Sequence, residues 1–208
     1  MDIRSLAYLL KSAQNVDEID AHREEIVELL PMLDIMVGYD QNNYAHQYDL
    51  WFHSLHAVMF LPRGLDDDIL YLATLLHDIG KPDSRCKGRR EDDPNAHYYG
   101  HPEKSYEIVR DDIIPYLDSI HQVLSHDEKE LLLYYVRYHD DHISLKIKHI
   151  RRHLKMVDID IFKKLMLLQI ADAKAHVMIP VVEERVRVCT ILSGEYADEL
   201  KARIDRGE

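Results

Sequence analysis

His77 and Asp78 stand side by side within Leu75-Leu76-His77-Asp78-Ile79-Gly80-Lys81-Pro82. A neutral imidazole and a carboxylate can both ligate a divalent metal. The pair follows an apolar run (Ile69, Leu70, Leu72, Ala73, Leu75, Leu76) that reads as a buried helix. A carboxylate at the end of such a helix costs several kcal/mol to desolvate unless a cation or hydrogen bonds compensate it. Asp78 therefore needs a partner, and a metal ion is the best candidate.

Other residues have the same character. His53 lies in Leu50–Phe60, among Trp51, Leu55, Val58 and Met59, with His56 three positions on. His101 opens a helix after Tyr98-Tyr99-Gly100, and His139-Asp140 closes the apolar stretch Leu131 to Val136. Asp172 sits inside Leu167-Leu168-Gln169-Ile170-Ala171-Asp172-Ala173, where a lone carboxylate is costly. Taken singly, His53 could be a satisfied core histidine and Asp172 could pair with an arginine. Taken together, several apolar helices each carry a His or Asp at an inner position, and a helical bundle converges such groups on one site. Imidazole and carboxylate without thiolate suit Mn, Fe, Mg, Ni, Co or Zn. With 14 histidines in the chain, no single one is decisive; His22, His121, His126, His142, His149 and His153 read as solvated.

The elements that must position these groups read as helices. Leu, Ile, Glu, Lys and Ala are plentiful, few stretches alternate with period two, and Gly and Pro number only 7 each. The pattern predicts helices over 3–14, 17–30 and 50–60, one ending at His77-Asp78, and others over 102–117, 125–138, 144–153, 158–176 and 181–203. Asp49 is the expected N-cap of the 50–60 helix, and Gly38 the expected end of a short segment opened by Pro31. Residues 39–48 read as a loop. The stretch 80–100 is the longest irregular one, a mobile active-site loop or a two-stranded excursion. The fold class is all-α, with an N-terminal helical extension over 1–38 and the main domain over 39–208.

Composition narrows the partners. The net charge of -12 on 208 residues repels a polyphosphate backbone at long range but leaves room for a local basic pocket. Cys86 and Cys189 are the 2 cysteines, in no metal or redox spacing, so a disulfide framework is not expected. No signal-peptide pattern follows Met1, and no apolar stretch approaches the ~18 residues of a membrane span. A cytoplasmic location is the expectation.

The ordered set His53, His77-Asp78, Asp172 resembles the pattern of the HD-domain metal-dependent phosphohydrolases. The segments 41–55, His77-Asp78-Ile79-Gly80-Lys81-Pro82, His97-Tyr98-Tyr99-Gly100-His101 and Ala171-Asp172-Ala173 are similar to the HD region of bacterial CCA-adding tRNA nucleotidyltransferases. The likeness covers roughly Leu30 to His176. Nothing resembles the strand-rich nucleotidyltransferase head, so a free-standing HD domain without nucleotide-adding activity is expected. The resemblance implies a helical bundle in which His53, His77, Asp78 and Asp172 bind a first divalent metal. His101 and His139 would bind a second, with Asp78 bridging; Asp140 would orient a ligand or water.

The activity implied is hydrolysis of a phosphomonoester or phosphodiester, with a nucleotide or related small phosphate ester as substrate. A metal acidifies bound water and polarises a phosphoryl oxygen. Asp78 and Lys81 are the expected catalytic residues, and Lys81 and Arg85 the candidate phosphate contacts. Lys87, Arg89 and Arg90 read more readily as a solvated charged loop. The alternative is a non-catalytic HD module that binds a nucleotide or RNA, the RNA version disfavoured by the acidic charge. A helical scaffold with incidental His and Asp residues is the third reading.

Overall fold

The computed structural model describes residues 1–90 and 92–208. Glu91, within the expected 80–100 loop, lies outside the described residues. Five of the longer helices start where a side chain can satisfy their free N–H groups. Asp2 caps α1 (Ile3–Ser12), Asp49 caps α4 (Leu50–Phe60) and Asp67 caps α5 (Asp68–Leu76). Ser125 and Glu128 form a reciprocal capping box at α9 (His126–Tyr138), and Asp158 caps α11 (Ile159–Lys174). The Asp49 cap and the bounds of α4 are as expected from sequence.

Two predicted helices are broken in the structure. The helix expected over 17–30 is instead α2 (Val16–Asp20) and α3 (Arg23–Leu29). Asp20 turns its carboxylate to Trp51 Nε1 at 2.7 Å and to the Arg23 guanidinium. A tertiary partner thus claims the side chain at the break. A 3-10 turn, Pro31–Met36, follows, and Gly38 leaves it with φ +68°, a conformation that favours glycine. The helix expected over 181–203 divides at Gly194 into α12 (Pro180–Leu192) and α13 (Glu195–Asp205). Glycine in a helix interior is unfavourable by roughly 1 kcal/mol relative to alanine, and here the chain turns at it, so that α13 packs on α10 (Ile147–His153), α11 and α12.

The 80–100 stretch is more regular than expected. It opens with a short helix, α6 (Lys81–Ser84), and continues in an antiparallel ribbon of β1 (Cys86–Lys87) and β2 (Ala96–His97). The two-stranded reading holds. The ribbon is tied to the 41–46 loop by Ala96 N donating to Asn42 O and Asn43 Nδ2 donating to Ala96 O. The next helix runs from α7 (His101–Ile108) through a π segment, Val109–Ile113, into α8 (Ile114–Ser119). Pro115 accounts for the wider turn: it cannot donate to the Asp111 carbonyl, and its ring would press on it.

Among the described residues, thirteen α-helices, the 3-10 turn, the π segment and this one ribbon make up the regular structure, an all-α architecture. Helix α5 lies at the centre, packed on α1, α4, α9 and α11; α7 packs on α9 and α12 on α11. Every residue from Ile69 to Leu76 is buried, and a continuous hydrophobic cluster runs from Ile3 to Leu200. No helix is long and apolar enough to cross a membrane. His153, read from sequence as solvated, is fully buried instead. It continues the inner face of α10 begun by Ile150, with Nδ1 2.9 Å from Tyr134 Oη and Nε2 3.0 Å from Asp141 Oδ2.

At Gly80 the chain leaving α5 crosses the first turn of α7 with no room for a side chain. Gly80 N donates to Ser105 Oγ at 2.9 Å, and a Cβ at Gly80 would lie 2.4 Å from Ser105 N and 2.7 Å from Lys104 C. Those are backbone atoms and cannot swing aside. Gly80→Ala should therefore lower unfolding stability by about 1–3 kcal/mol in urea titrations. Unchanged stability would mean that the α6–α7 crossing gives way easily.

Candidate metal centre

Six expected residues arrive at one point from five helices. His53 comes from the middle of α4. His77 and Asp78 directly follow α5, and His139 directly follows α9. His101 is the first residue of α7, and Asp172 lies in the last turns of α11. His53, His77, Asp78, His139 and Asp172 are buried. One set of ligand atoms, on His53, His77, Asp78 and Asp172, lies within 4.8 Å of one another; so does a second, on Asp78, His101 and His139.

Asp78 stands between the two sets. Its Oδ2 is 3.2 Å from His53 Nε2 and 3.1 Å from His77 Nε2. Its Oδ1 is 3.1 Å from His101 Nε2 and 3.4 Å from His139 Nε2. Asp172 Oδ1 completes the first set, 3.1 Å from His53 Nε2 and 3.5 Å from His77 Nε2.

Backbone carbonyls orient the imidazoles. Nδ1 of His77 lies 2.7 Å from Thr74 O, Nδ1 of His139 2.7 Å from Val136 O, and Nδ1 of His101 2.9 Å from Tyr98 O. A carbonyl only accepts, so each Nδ1 donates to it and each Nε2 faces inward, where it can offer a lone pair once it carries no proton. This backing is what a metal-ligating histidine needs. The Nε2 atoms of His101 and His139 meet at 3.0 Å, both facing Asp78 Oδ1, an arrangement that a shared cation would satisfy. His77 Nε2 and both oxygens of Asp78 are buried without a hydrogen bond of acceptable geometry. Such groups are costly unless a cation lies among them. The donor set, histidine nitrogen and carboxylate oxygen with no thiolate, fits a divalent metal.

The charges are tightly coupled. Burial alone would push the His77 imidazolium down, but the Asp78 and Asp172 carboxylates override it and hold its pKa at about 10. Burial would raise Asp78, yet His77 and Lys81 keep it well below the usual carboxylate range. Asp172 is held low against burial by His176 and Arg185. Burial lowers His139 and brings His46 to about 2, so both rings are neutral at ordinary pH.

The centre opens into a cavity of about 270 Å³. Lys81 lines it, buried, with Nζ 2.6 Å from Asp78 Oδ2 and donating to Gln41 Oε1 at 2.9 Å. Arg85 is elsewhere. It is exposed, donates to Asp40 O at 3.1 Å, lies over the Tyr39 ring and lines a separate surface cavity, because β1 carries the chain away from α6. Arg89 stacks over Tyr99 at the cavity wall, while His56 stacks on Tyr48 outside the cluster. Asp140 is 3.0 Å from Arg185 Nη1.

Sequence reasoning missed four participants. Gln41 holds Lys81, and His46 and His176 line the cavity with their rings 4.4 Å apart. Arg185, from α12, reaches Asp172 Oδ2 at 3.2 Å. His176 follows Asp172 by one helical turn, a spacing that could have flagged it. Arg185 has no such signal, because its neighbours in α12 read as an ordinary charged surface.

An HD domain family model matches residues 44–175. The chain belongs to the HD domain family. The match spans five of the six clustered His and Asp residues from His53 to His139 and also the sixth, Asp172. HD domains bind divalent metals, and here the residues that could hold one converge. No curated protein matches this HD domain closely enough to be named beside it.

Metal uptake by this HD domain must displace the proton that His77 otherwise keeps up to about pH 10. The proton competes below that value, so apparent affinity should fall as pH falls, by up to about tenfold per unit. Titration calorimetry in buffers of different ionisation enthalpy should show proton release; pH-independent uptake would contradict it. Chelation of bound metal should lower the melting temperature by several degrees, since a ligand bound only to the native state stabilises it.

Proposed function

We propose that this HD domain is a metal-dependent phosphohydrolase that cleaves a phosphomonoester or phosphodiester of a nucleotide or related small molecule. The observation that carries the reading is Asp78, whose two oxygens face two separate histidine sets at the floor of a cavity that Lys81 also enters. His53, His77, Asp78 and Asp172 would hold one divalent ion, and Asp78, His101 and His139 a second. Bound there, Mn, Fe, Ni, Co, Zn or Mg would acidify a water and draw charge from a phosphoryl oxygen.

The protein's own groups prepare the rest. Lys81 is fixed by Gln41 and Asp78, so its ammonium is a positioned donor for a phosphate oxygen. Arg185 adds a second cation at the wall while steadying Asp172. Asp78, Lys81 and Asp172 are themselves buried, and low access to water strengthens the interactions among them. The segments 41–55, 77–82, 97–101 and 171–173 support placing the chain nearest the HD region of CCA-adding enzymes. A small phosphorylated partner suits a local cationic pocket on a chain of net charge -12 better than a long RNA does.

Metal-loaded protein should hydrolyse some members of a phosphomonoester and phosphodiester panel. Asp78→Ala should lose metal and reduce turnover by at least about a thousandfold, whereas Lys81→Ala should keep the metal and lose about ten- to a hundredfold in kcat/KM. A metal-loaded protein that cleaves nothing yet binds nucleotide or RNA would establish the non-catalytic alternative. His101→Ala and His139→Ala should lower stoichiometry from two metals toward one by elemental analysis; wild type that never exceeds one under saturating metal would remove the second site.

A further inference from the structure

Asp140 and Arg185 line two cavities at once. One is the metal cavity, of about 270 Å³. The other, of about 630 Å³, lies between the turn that follows α9 and one face of α12. Sites that enclose a drug-sized ligand run roughly 300–1,000 Å³. The metal cavity lies just below that range, and the adjoining cavity well within it. A phosphate ester that outgrows the metal cavity meets a second cavity directly across the Asp140–Arg185 wall, with the volume for a planar ring.

The chemistry of that second cavity is unlike that of the first. Ile143, Val182, Val188 and Cys189 supply apolar wall. Most of its polar side chains are already engaged, exposed His142 excepted. Gln169 Nε2 donates to Tyr138 O and Asp141 O, and its Oε1 accepts from Cys189 Sγ at 3.3 Å. Glu184 pairs with Arg187, and Asp141 with His153 and Arg152. With Arg185 already paired to Asp140 and Asp172, such a lining favours a neutral, largely apolar group over an anion. Arg185 marks the boundary and is fixed there: Nη1 is 3.0 Å from Asp140 Oδ1 and 3.2 Å from Asp172 Oδ2, and Nη2 donates to His139 O at 2.7 Å. A planar guanidinium held in place suits the face of an aromatic ring.

The geometry points to a bipartite substrate site, with the phosphoryl group in the metal cavity and a neutral planar ring, of the nucleobase class, in the cavity beside α12. This inference rests on the phosphohydrolase reading above. It assigns specificity to Val182 and its neighbours and leaves the reacting end to the metal centre.

The test uses the metal-loaded full chain and two probes that cannot be hydrolysed, methylphosphonate and benzylphosphonate, with dissociation constants from calorimetry. Wild type should bind benzylphosphonate at least about tenfold more tightly, the effect of burying a ring. Val182→Phe fills the cavity and should reduce that preference to about twofold or less, with metal content and methylphosphonate affinity unchanged. Val181→Trp, at a lining position 70% exposed, should do the same from the mouth and serves if the first variant does not fold. No preference in wild type, or a preference that survives both substitutions, overturns the second cavity's role while leaving the hydrolase reading intact. Failure of metal-loaded wild type to bind methylphosphonate overturns both.

Discussion

Asp78 and Asp172 are carboxylates almost wholly buried, beside helices whose other inward residues are mostly hydrocarbon. Removing one ion from water costs several kcal/mol even after a protein relaxes around it, and two within one cluster add mutual repulsion. Much of the architecture near them supplies compensation. α4 brings His53, the ends of α5 and α9 bring His77 and His139, α6 brings Lys81 and α12 brings Arg185. The histidines are themselves anchored to carbonyls in the last turns of their helices, which are groups left free by helix ending. Helix termination and ligand orientation are one device here.

This explains why so much of the centre was legible from the chain. A carboxylate such as Asp172 within an apolar helix announces its own cost, and His53 and His77 stand out against the same background. The caps at Asp49 and Asp158 were readable because a short acceptor side chain before an apolar run satisfies local N–H groups. The misses have equally physical causes. The break after Asp20 depends on Trp51, which no local pattern includes. Arg85 has the right chemistry for phosphate, but its position follows from how α6 turns into β1. Arg185 enters the centre only because α12 folds back along α11, a tertiary event without a local mark. His153 looked like one more histidine in a basic stretch, although its helical register put it on the inner face.

The central helix α5 ties stability to the centre. It contacts α1 at one side and α4, α9 and α11 at the others, while its end carries His77 and Asp78. Gly80 then lets the chain pass against α7 closely enough for His101 to meet Asp78. Packing defects near this crossing act directly on the clustered His and Asp geometry, because His77 and Asp78 follow α5 without an intervening loop.

The ribbon of β1 and β2 shows how such a constrained site can still diverge. Its base is pinned to the 41–46 loop through Asn42 and Asn43, next to Gln41, which holds Lys81, and His46, which lines the cavity. The chain between the two strands carries none of the six clustered His and Asp residues. Inheritance can therefore lengthen, shorten or recharge that connection while the pinned base keeps the interior arrangement. A family built this way can acquire new clientele at its periphery without renegotiating the chemistry it protects at its centre.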